Sequence, residues 1–175
     1  MRGGGDCLVN KKWRDTFIVD IFTRIKRGKR LIREKQVSGN IPYVSSTAMN
    51  NGIDNFIKYK EKNMRKYCNC MSIANSGSVG NTFYQPSDYI ASDHVTNLQN
   101  NDFNKFIYLF IATMTNRLSK KYNFNREISD TRISREKIIL PINNDCKLDY
   151  KYMEKYIKDI MFQKYNNYLE YIKNE

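Results

Sequence analysis

Near residue 102 the spacing of apolar residues changes, and that change constrains the fold more than any other feature. Beyond it, Phe103, Phe106, Ile107, Phe110, Ile111, Met114 and Leu118 recur at three- and four-residue steps, which predicts a helix buried on a wide face. Asp102 is placed to cap it. Before it, the chain reads as short strands interrupted by glycine, proline and asparagine. A β-rich half followed by helices predicts the α/β (α+β) class: a small twisted β-rich domain with flanking helices and a long C-terminal helix.

From Trp13, "WRDTFIVDIFTRIKRGKR" is a short apolar-rich stretch ending in a basic turn at Lys26 to Arg30. "GNIPYVSSTAMNNGIDNFIKY" reads as a hairpin. Tyr43 and Val44 enter it, Asn51-Gly52 supplies the turn pair with positive φ, and Phe56, Ile57 and Tyr59 leave. "CNCMSIANSGSVGNTFYQPSDYIASDHVTNL" continues as short strands broken at Gly77, Gly80 and Pro86. After the buried helix comes a polar, arginine-bearing loop, "KKYNFNREISDTRISREKIILPI", which closes on a short strand before Pro141. The last segment is a helix of about 22 residues, roughly 33 Å long. Asp149 can cap it, and Met153, Tyr156, Ile157, Ile160, Met161, Tyr165, Tyr168 and Ile172 form its apolar stripe. Such a stripe either docks on its own domain or pairs with a partner. The expected divisions are a flexible arm over residues 1–12, a folded domain over 13–147 and the helix over 148–175.

The charge balance points to a polyanion. Thirty Lys and Arg face eighteen Asp and Glu, a net charge of +12. An AT-rich genome enriches lysine through codon usage alone, so the arginines inform more. Arg30, Arg126, Arg132 and Arg135 sit beside turn and loop signals, not on a uniform solvated face. No basic amphipathic anchor or lipidation motif is visible, so nucleic acid is favoured over membrane. No apolar run approaches the roughly 18–20 residues of a membrane span. The opening "MRGGGDCLVNKKW" lacks a hydrophobic signal core, and a cytoplasmic location is expected. Cys7, Cys68, Cys70 and Cys146, with the single His94, match no zinc pattern. They read as reduced thiols packed inside the protein, with Cys68 and Cys70 on one face of a strand.

The glycine loop "NSGSVGNT" is not a nucleotide cradle. A Walker loop needs Gly-Lys-Ser/Thr, whereas Asn81 and Thr82 follow Gly80. Strand-like residues stand where a dinucleotide fingerprint needs a helix. Asp88, Asp93, Glu127, Asp130 and Glu136 show no spacing diagnostic of a metal nuclease. Asp93-His94 has no serine or cysteine elbow to complete a triad. No catalytic or metal site is expected. What remains is a recognition surface of turn asparagines and serines with nearby arginines. Asn pairs with adenine, Arg with guanine, and hydroxyls or backbone N–H groups hold phosphates; plain turn chemistry explains the same asparagines.

Four blocks together, the first from Trp13 to Arg30, then "GNIPYVSSTAMNNGIDNFI", "SIANSGSVGNTFYQPSDYIASDHVTNL" and "KKYNFNREISDTRISREKIILPI", carry a resemblance. The chain resembles the target recognition domain of type I restriction-modification specificity subunits, over about Trp13 to Ile172. The Gly-Ser-Val-Gly loop, the aromatic after it and "ASDHV", following "PYVSS" and "NNG", are specific as a set. The resemblance implies a non-catalytic domain over 13–147 that reads one half of a split double-stranded DNA target. It implies a spacer helix over 148–175. Partner DNA adenine methyltransferase subunits would use S-adenosylmethionine, and a restriction translocase subunit would use ATP and Mg²⁺; the chain itself takes no cofactor. Full specificity subunits carry two such domains, so a half-subunit, a fragment or a domain of a fused type II enzyme are the forms expected. A half-subunit would form a homodimer through Met153, Ile157, Ile160, Met161, Tyr165, Tyr168 and Ile172. A decoy retaining the fold is a further alternative. The DNA-contact candidates are Arg27, Lys29, Arg30, Ser45, Ser46, Asn50, Asn51, Asn75, Ser76, Asn81, Arg126, Arg132 and Arg135.

Overall fold

The structure is a computed structural model describing residues 11–60, 64–123 and 125–174. Its strands form three sheets, and the helix predicted from the period change packs against strands of two of them. β1 (Trp13–Phe17) and β10 (Lys137–Pro141) pair antiparallel, Trp13 opposite Pro141, so the two ends of the segment before the terminal helix close on each other. Between β1 and the next strand lies a single turn, α1 (Ile18–Ile21), with Ile18 and Ile21 buried. The central sheet has the order β2-β9-β6-β7, from β2 (Arg24–Arg27), β9 (Val95–Gln99), β6 (Cys70–Ala74) and β7 (Thr82–Gln85). The third has the order β4-β3-β8-β5, from β4 (Ile53–Ile57), β3 (Ser38–Val44), β8 (Tyr89–Ala91) and β5 (Lys66–Tyr67), and its β3–β8 pair is parallel.

The predicted hairpin is present. β3 and β4 pair antiparallel, and the turn holds Asn50, Asn51 and Gly52 at φ of 49°, 55° and 80°. Asparagine tolerates the left-handed region better than other non-glycine residues, which is why this sequence can turn here.

The period-change helix is α2 (Lys105–Thr115), and its cap differs from expectation. Asn104, not Asp102, accepts from the N–H groups of Phe106 (3.0 Å) and Ile107 (3.2 Å), while Asp102 lies in the preceding turn. Phe103 and Leu118, read as part of the helix, flank it as buried residues, Leu118 in a 3-10 extension. The arginine-bearing loop contains one short helix not foreseen, α3 (Asp130–Arg135), capped by Ser129. At six residues its period is too short to register in sequence.

β6 is buried along its whole length because it is covered on both faces. Met71 and Ile73 join the main core with Leu98, Ile107, Phe110 and Ile111; Cys70 faces a second core with Val44, Tyr67, Tyr89 and Val95. Cys68 does not share that face. The strand begins at Cys70, Asn69 sits at φ 45°, and Cys68 is exposed, as is Cys146, so of the described thiols only Cys70 is packed inside.

The terminal helix, α4 (Tyr150–Lys173), has 24 residues and is capped by Asp149, which accepts from Tyr152 N–H at 3.0 Å. Lys11 Nζ meets the same carboxylate at 2.5 Å. Residues 11 and 12 are therefore tied to the domain, because Ile142 N–H also donates to Lys12 O. The rest of the expected arm lies outside the described residues.

The stripe on α4 divides into two. Met153 is fully buried, and Tyr150 and Tyr156 pack on Phe103 and Phe110 of the domain. Beyond Ile160 the stripe residues are exposed: Met161 46%, Tyr165 60%, Tyr168 58% and Ile172 47%. At 100° per residue these four centre roughly 90° around the helix from the docked face.

Candidate nucleic-acid interface

The glycine loop answers to backbone geometry. Gly77 and Gly80 have φ of 58° and 84°, and Gly80 N–H donates to Ala74 O at 2.9 Å, folding the chain between β6 and β7. A Cβ on Gly80 would lie 2.5 Å from Ser119 N, so the position needs glycine for space as well as for φ. The loop rests on the β3–β4 turn through Ser78 N–H to Ser46 O (3.1 Å).

Asn75 and Ser76 are not presented outward. They are 2% and 6% exposed. The Asn75 amide is satisfied with its nitrogen toward Thr96 Oγ1 (3.0 Å) and its oxygen accepting from Arg27 Nε (3.2 Å) and Nη2 (3.3 Å). Its N–H donates to His94 O (2.8 Å), and its O accepts from Ile128 N–H (3.0 Å). Asn75 is the joint between the glycine loop, β9 and the loop before α3. Ser76 Oγ lies 2.7 Å from His94 Nδ1 and fixes that ring. Asn81 donates to Ser78 O (2.9 Å), stabilising its own turn.

Arg27 is likewise engaged. Besides Asn75, its guanidinium pairs with Asp130 at 3.1 Å. Its carbonyl accepts from Arg65 Nη1 (2.7 Å) and Tyr67 OH (2.9 Å). Arg27 lies in β2, so the basic turn is shorter than expected. It begins at Gly28, where a Cβ would lie 2.1 Å from Ser92 O and 2.3 Å from Ala91 O. Only glycine lets the chain pass so close to β8 as it crosses to the third sheet.

The exposed candidates lie around these joints. Lys29 and Arg30 follow Gly28, and Arg30 lines a groove of about 300 Å³ with Arg33, Ser45, Asp54, Asp93 and His94. Within it, burial and then the carboxylates of Asp93 and Asp54 push the Tyr43 hydroxyl up to about 12. Arg126 stacks its guanidinium 5.4 Å from the Tyr122 ring centre, and Arg132 Nη1 donates to Glu127 O at 2.5 Å. Arg135 is exposed at the end of α3. That arginine-bearing loop is clasped from behind by buried Glu136, which takes both its oxygens to Lys121 Nζ at 2.8 Å and accepts from Tyr122 OH. Burial and Glu136 push Tyr122 up to about 12.

Contacts therefore link Ser45, Ser46, Asn75, Ser76, Arg27 and Arg30 into one region, with the arginine loop attached at Ile128. Asn50 and Asn51 stand toward β7, where Gln85 donates to Asn51 O at 2.8 Å. Sequence reasoning did not nominate Arg33, Arg65, Asp93 or His94, although the last two lie inside "ASDHV". Among the described residues no group of three His, Cys, Asp or Glu could hold a metal ion. No described helix is long and apolar enough to cross a membrane.

Basic loops gathered on a β-rich scaffold, with a helix projecting from it, define a module suited to recognition. The chain belongs to the type I restriction modification DNA specificity domain family, whose description matches residues 10–171. It is 31% identical over 152 residues to the specificity subunit of a type II restriction enzyme from Heyndrickxia coagulans, covering 86% of this chain and 44% of that protein. The fold is similar to the type I restriction-modification S subunit from M. genitalium (TM-score 0.64, 19% identity, 97% of this chain and 44% of that one). It is also similar to the HsdS subunit from Thermoanaerobacter tengcongensis (TM-score 0.60, 15% identity, 93% and 40%). The chain thus spans less than half the length of the relatives it matches.

Proposed function

We propose that this chain is the sequence-specific DNA-binding subunit, or half-subunit, of a type I restriction-modification system, reading one half of a bipartite target. The observation that carries this is the family match over residues 10–171, joined to a net charge of +12 and arginines placed on loops. The subunit is non-catalytic. Adenine methyltransferase subunits with S-adenosylmethionine, and a translocase subunit with ATP and Mg²⁺, do the chemistry in the cytoplasm. The relative from H. coagulans is named as a specificity subunit, which supports a separate subunit over a fused enzyme.

Lys29, Arg30, Arg126, Arg132 and Arg135, with Ser45, Ser46, Asn50 and Asn51, are the DNA contacts. Arg27, Asn75, Ser76 and Asn81 shape the surface from behind. The domain over 13–147 reads DNA, and the helix over 148–175 spaces two copies. The homodimer forms where Met161, Tyr165, Tyr168 and Ile172 of two chains meet antiparallel. Their 4-3-4 spacing is that of a coiled-coil seam, and a two-fold dimer requires an inverted-repeat target.

Mapping methylated adenines in cells with and without this gene tests the reading. A motif methylated only when the gene is present is expected; identical methylation in both overturns it.

A further inference from the structure

The groove beside Arg30 combines groups that a phosphate-binding surface would not. On a chain of net charge +12, Asp54 and Asp93 line it together with Arg30 and Arg33. Among the described residues no donor hydrogen-bonds to the Asp93 carboxylate; His94 Nε2, 3.9 Å away, is its ion-pair neighbour. The backbone on both sides of Asp93 is nevertheless held firmly. Ser92 N–H donates to Val44 O (2.9 Å), His94 N–H donates to Ser92 Oγ (3.1 Å), and His94 O accepts from Asn75 N–H (2.8 Å). Asp93 is thus an acceptor-only group on a fixed backbone, with its side chain 32% exposed.

Such a group is repelled by phosphates and gains only from a donor. In the major groove guanine offers two acceptors, and thymine an acceptor and a methyl group. Adenine offers its amino group beside the N7 acceptor, which a second carboxylate oxygen would oppose. Cytosine offers N4–H₂ with no acceptor on its own major-groove edge; the neighbouring acceptor, O6, belongs to the paired guanine. The flanking Arg30 and Arg33 suit acceptors, whether phosphate oxygens or the guanine edge of the same pair.

We propose that Asp93 is a specificity-determining residue, accepting a hydrogen bond from cytosine N4 in the major groove of the target. This rests on the DNA-recognition reading above. The test is selection from a pool of random-sequence duplex DNA with the whole chain, wild type beside Asp93→Asn, each variant's melting temperature being recorded.

Wild type is expected to enrich a motif in which one cytosine depends on Asp93. In D93N the preference at that position falls about tenfold or moves to adenine, which an amide pairs with through N6 and N7. Binding to non-target DNA does not weaken, because the substitution removes a negative charge. The same motif at every position in both proteins, with equal melting temperatures, overturns the assignment. Weaker binding to all sequences alike, at equal melting temperatures, overturns it too, since a base contact acts at one position of the motif. If wild type enriches no sequence, the DNA-recognition reading itself fails, and this assignment with it.

Discussion

At the residue scale, the positions that matter most are those where the backbone leaves no choice. Gly80 carries both a left-handed φ and a Cβ clash with Ser119, so Gly80→Ala is expected to cost at least about 2 kcal/mol in a urea denaturation. Cys146 presents the opposite case. It is exposed, holds φ 59° with a full side chain, and bonds only through its backbone: its N–H donates to Asn143 O at 3.1 Å, and its carbonyl accepts from Arg14 Nη1 at 2.7 Å. Cys146→Gly relieves that conformation and is expected to stabilise by about 0.5–1 kcal/mol in the same assay. The asparagines divide in the same way. The turn role of Asn51 was legible, because Asn-Gly is a local signal. The role of Asn75 was not, since its partners Arg27, Thr96 and Ile128 are distant in sequence.

At the element scale, α4 works as two half-helices. Met153→Ala opens a cavity in the docked half and is expected to cost about 2–5 kcal/mol. Ile172→Lys, on the exposed half, is expected to leave the melting temperature of the isolated domain nearly unchanged. It should convert a dimer to a monomer in sedimentation at tens of micromolar. A wild-type chain that sediments as a monomer there would sink the dimer.

The cap of α4 also gives an acid dependence. Burial raises the Asp149 carboxyl, but bonds from Lys11 and the Tyr152 N–H outweigh this and leave it below the ordinary value. A depressed carboxyl contributes stability above its unfolded pKa and loses it as pH falls through the folded value. Asp149→Ala should therefore flatten the fall in melting temperature below about pH 4. The cap and the stripe were legible in the sequence. That the stripe splits was not, because the docked face depends on where Phe103 and Phe110 sit.

At the scale of the whole molecule, buried tyrosines set an alkaline limit. Burial, acting first, pushes Tyr43, Tyr108 and Tyr122 each up to about 12. A group whose folded pKa is raised contributes stability that is complete below its unfolded value, about 10 for tyrosine, and is lost as pH rises toward the folded value. The denaturation midpoint is expected to fall between pH 10 and 12. Tyr108→Phe should make that fall shallower, at a cost of about 1–2 kcal/mol at neutral pH for its lost bonds to Asn100.

The sequence by itself determined the β-rich half, the period change to helix, the Asn-Gly hairpin and the capped terminal helix. Each is written in neighbouring residues whose spacing or φ preference acts locally. The motif set also carried the family. Tertiary structure alone decided that β1 closes on β10, that β3 runs parallel to β8, and that Arg27 and Asn75 bind the scaffold together. It also decided that Asp93 stands in a groove with Arg30 and Arg33, with no hydrogen-bond donor to its carboxylate among the described residues. Those facts join residues tens of positions apart, and no local preference encodes which distant group a side chain will meet. The glycine loop shows both sides. Its glycines announced a turn, and only packing against Ser119 and Ser46 gave the reason one of them can be nothing else.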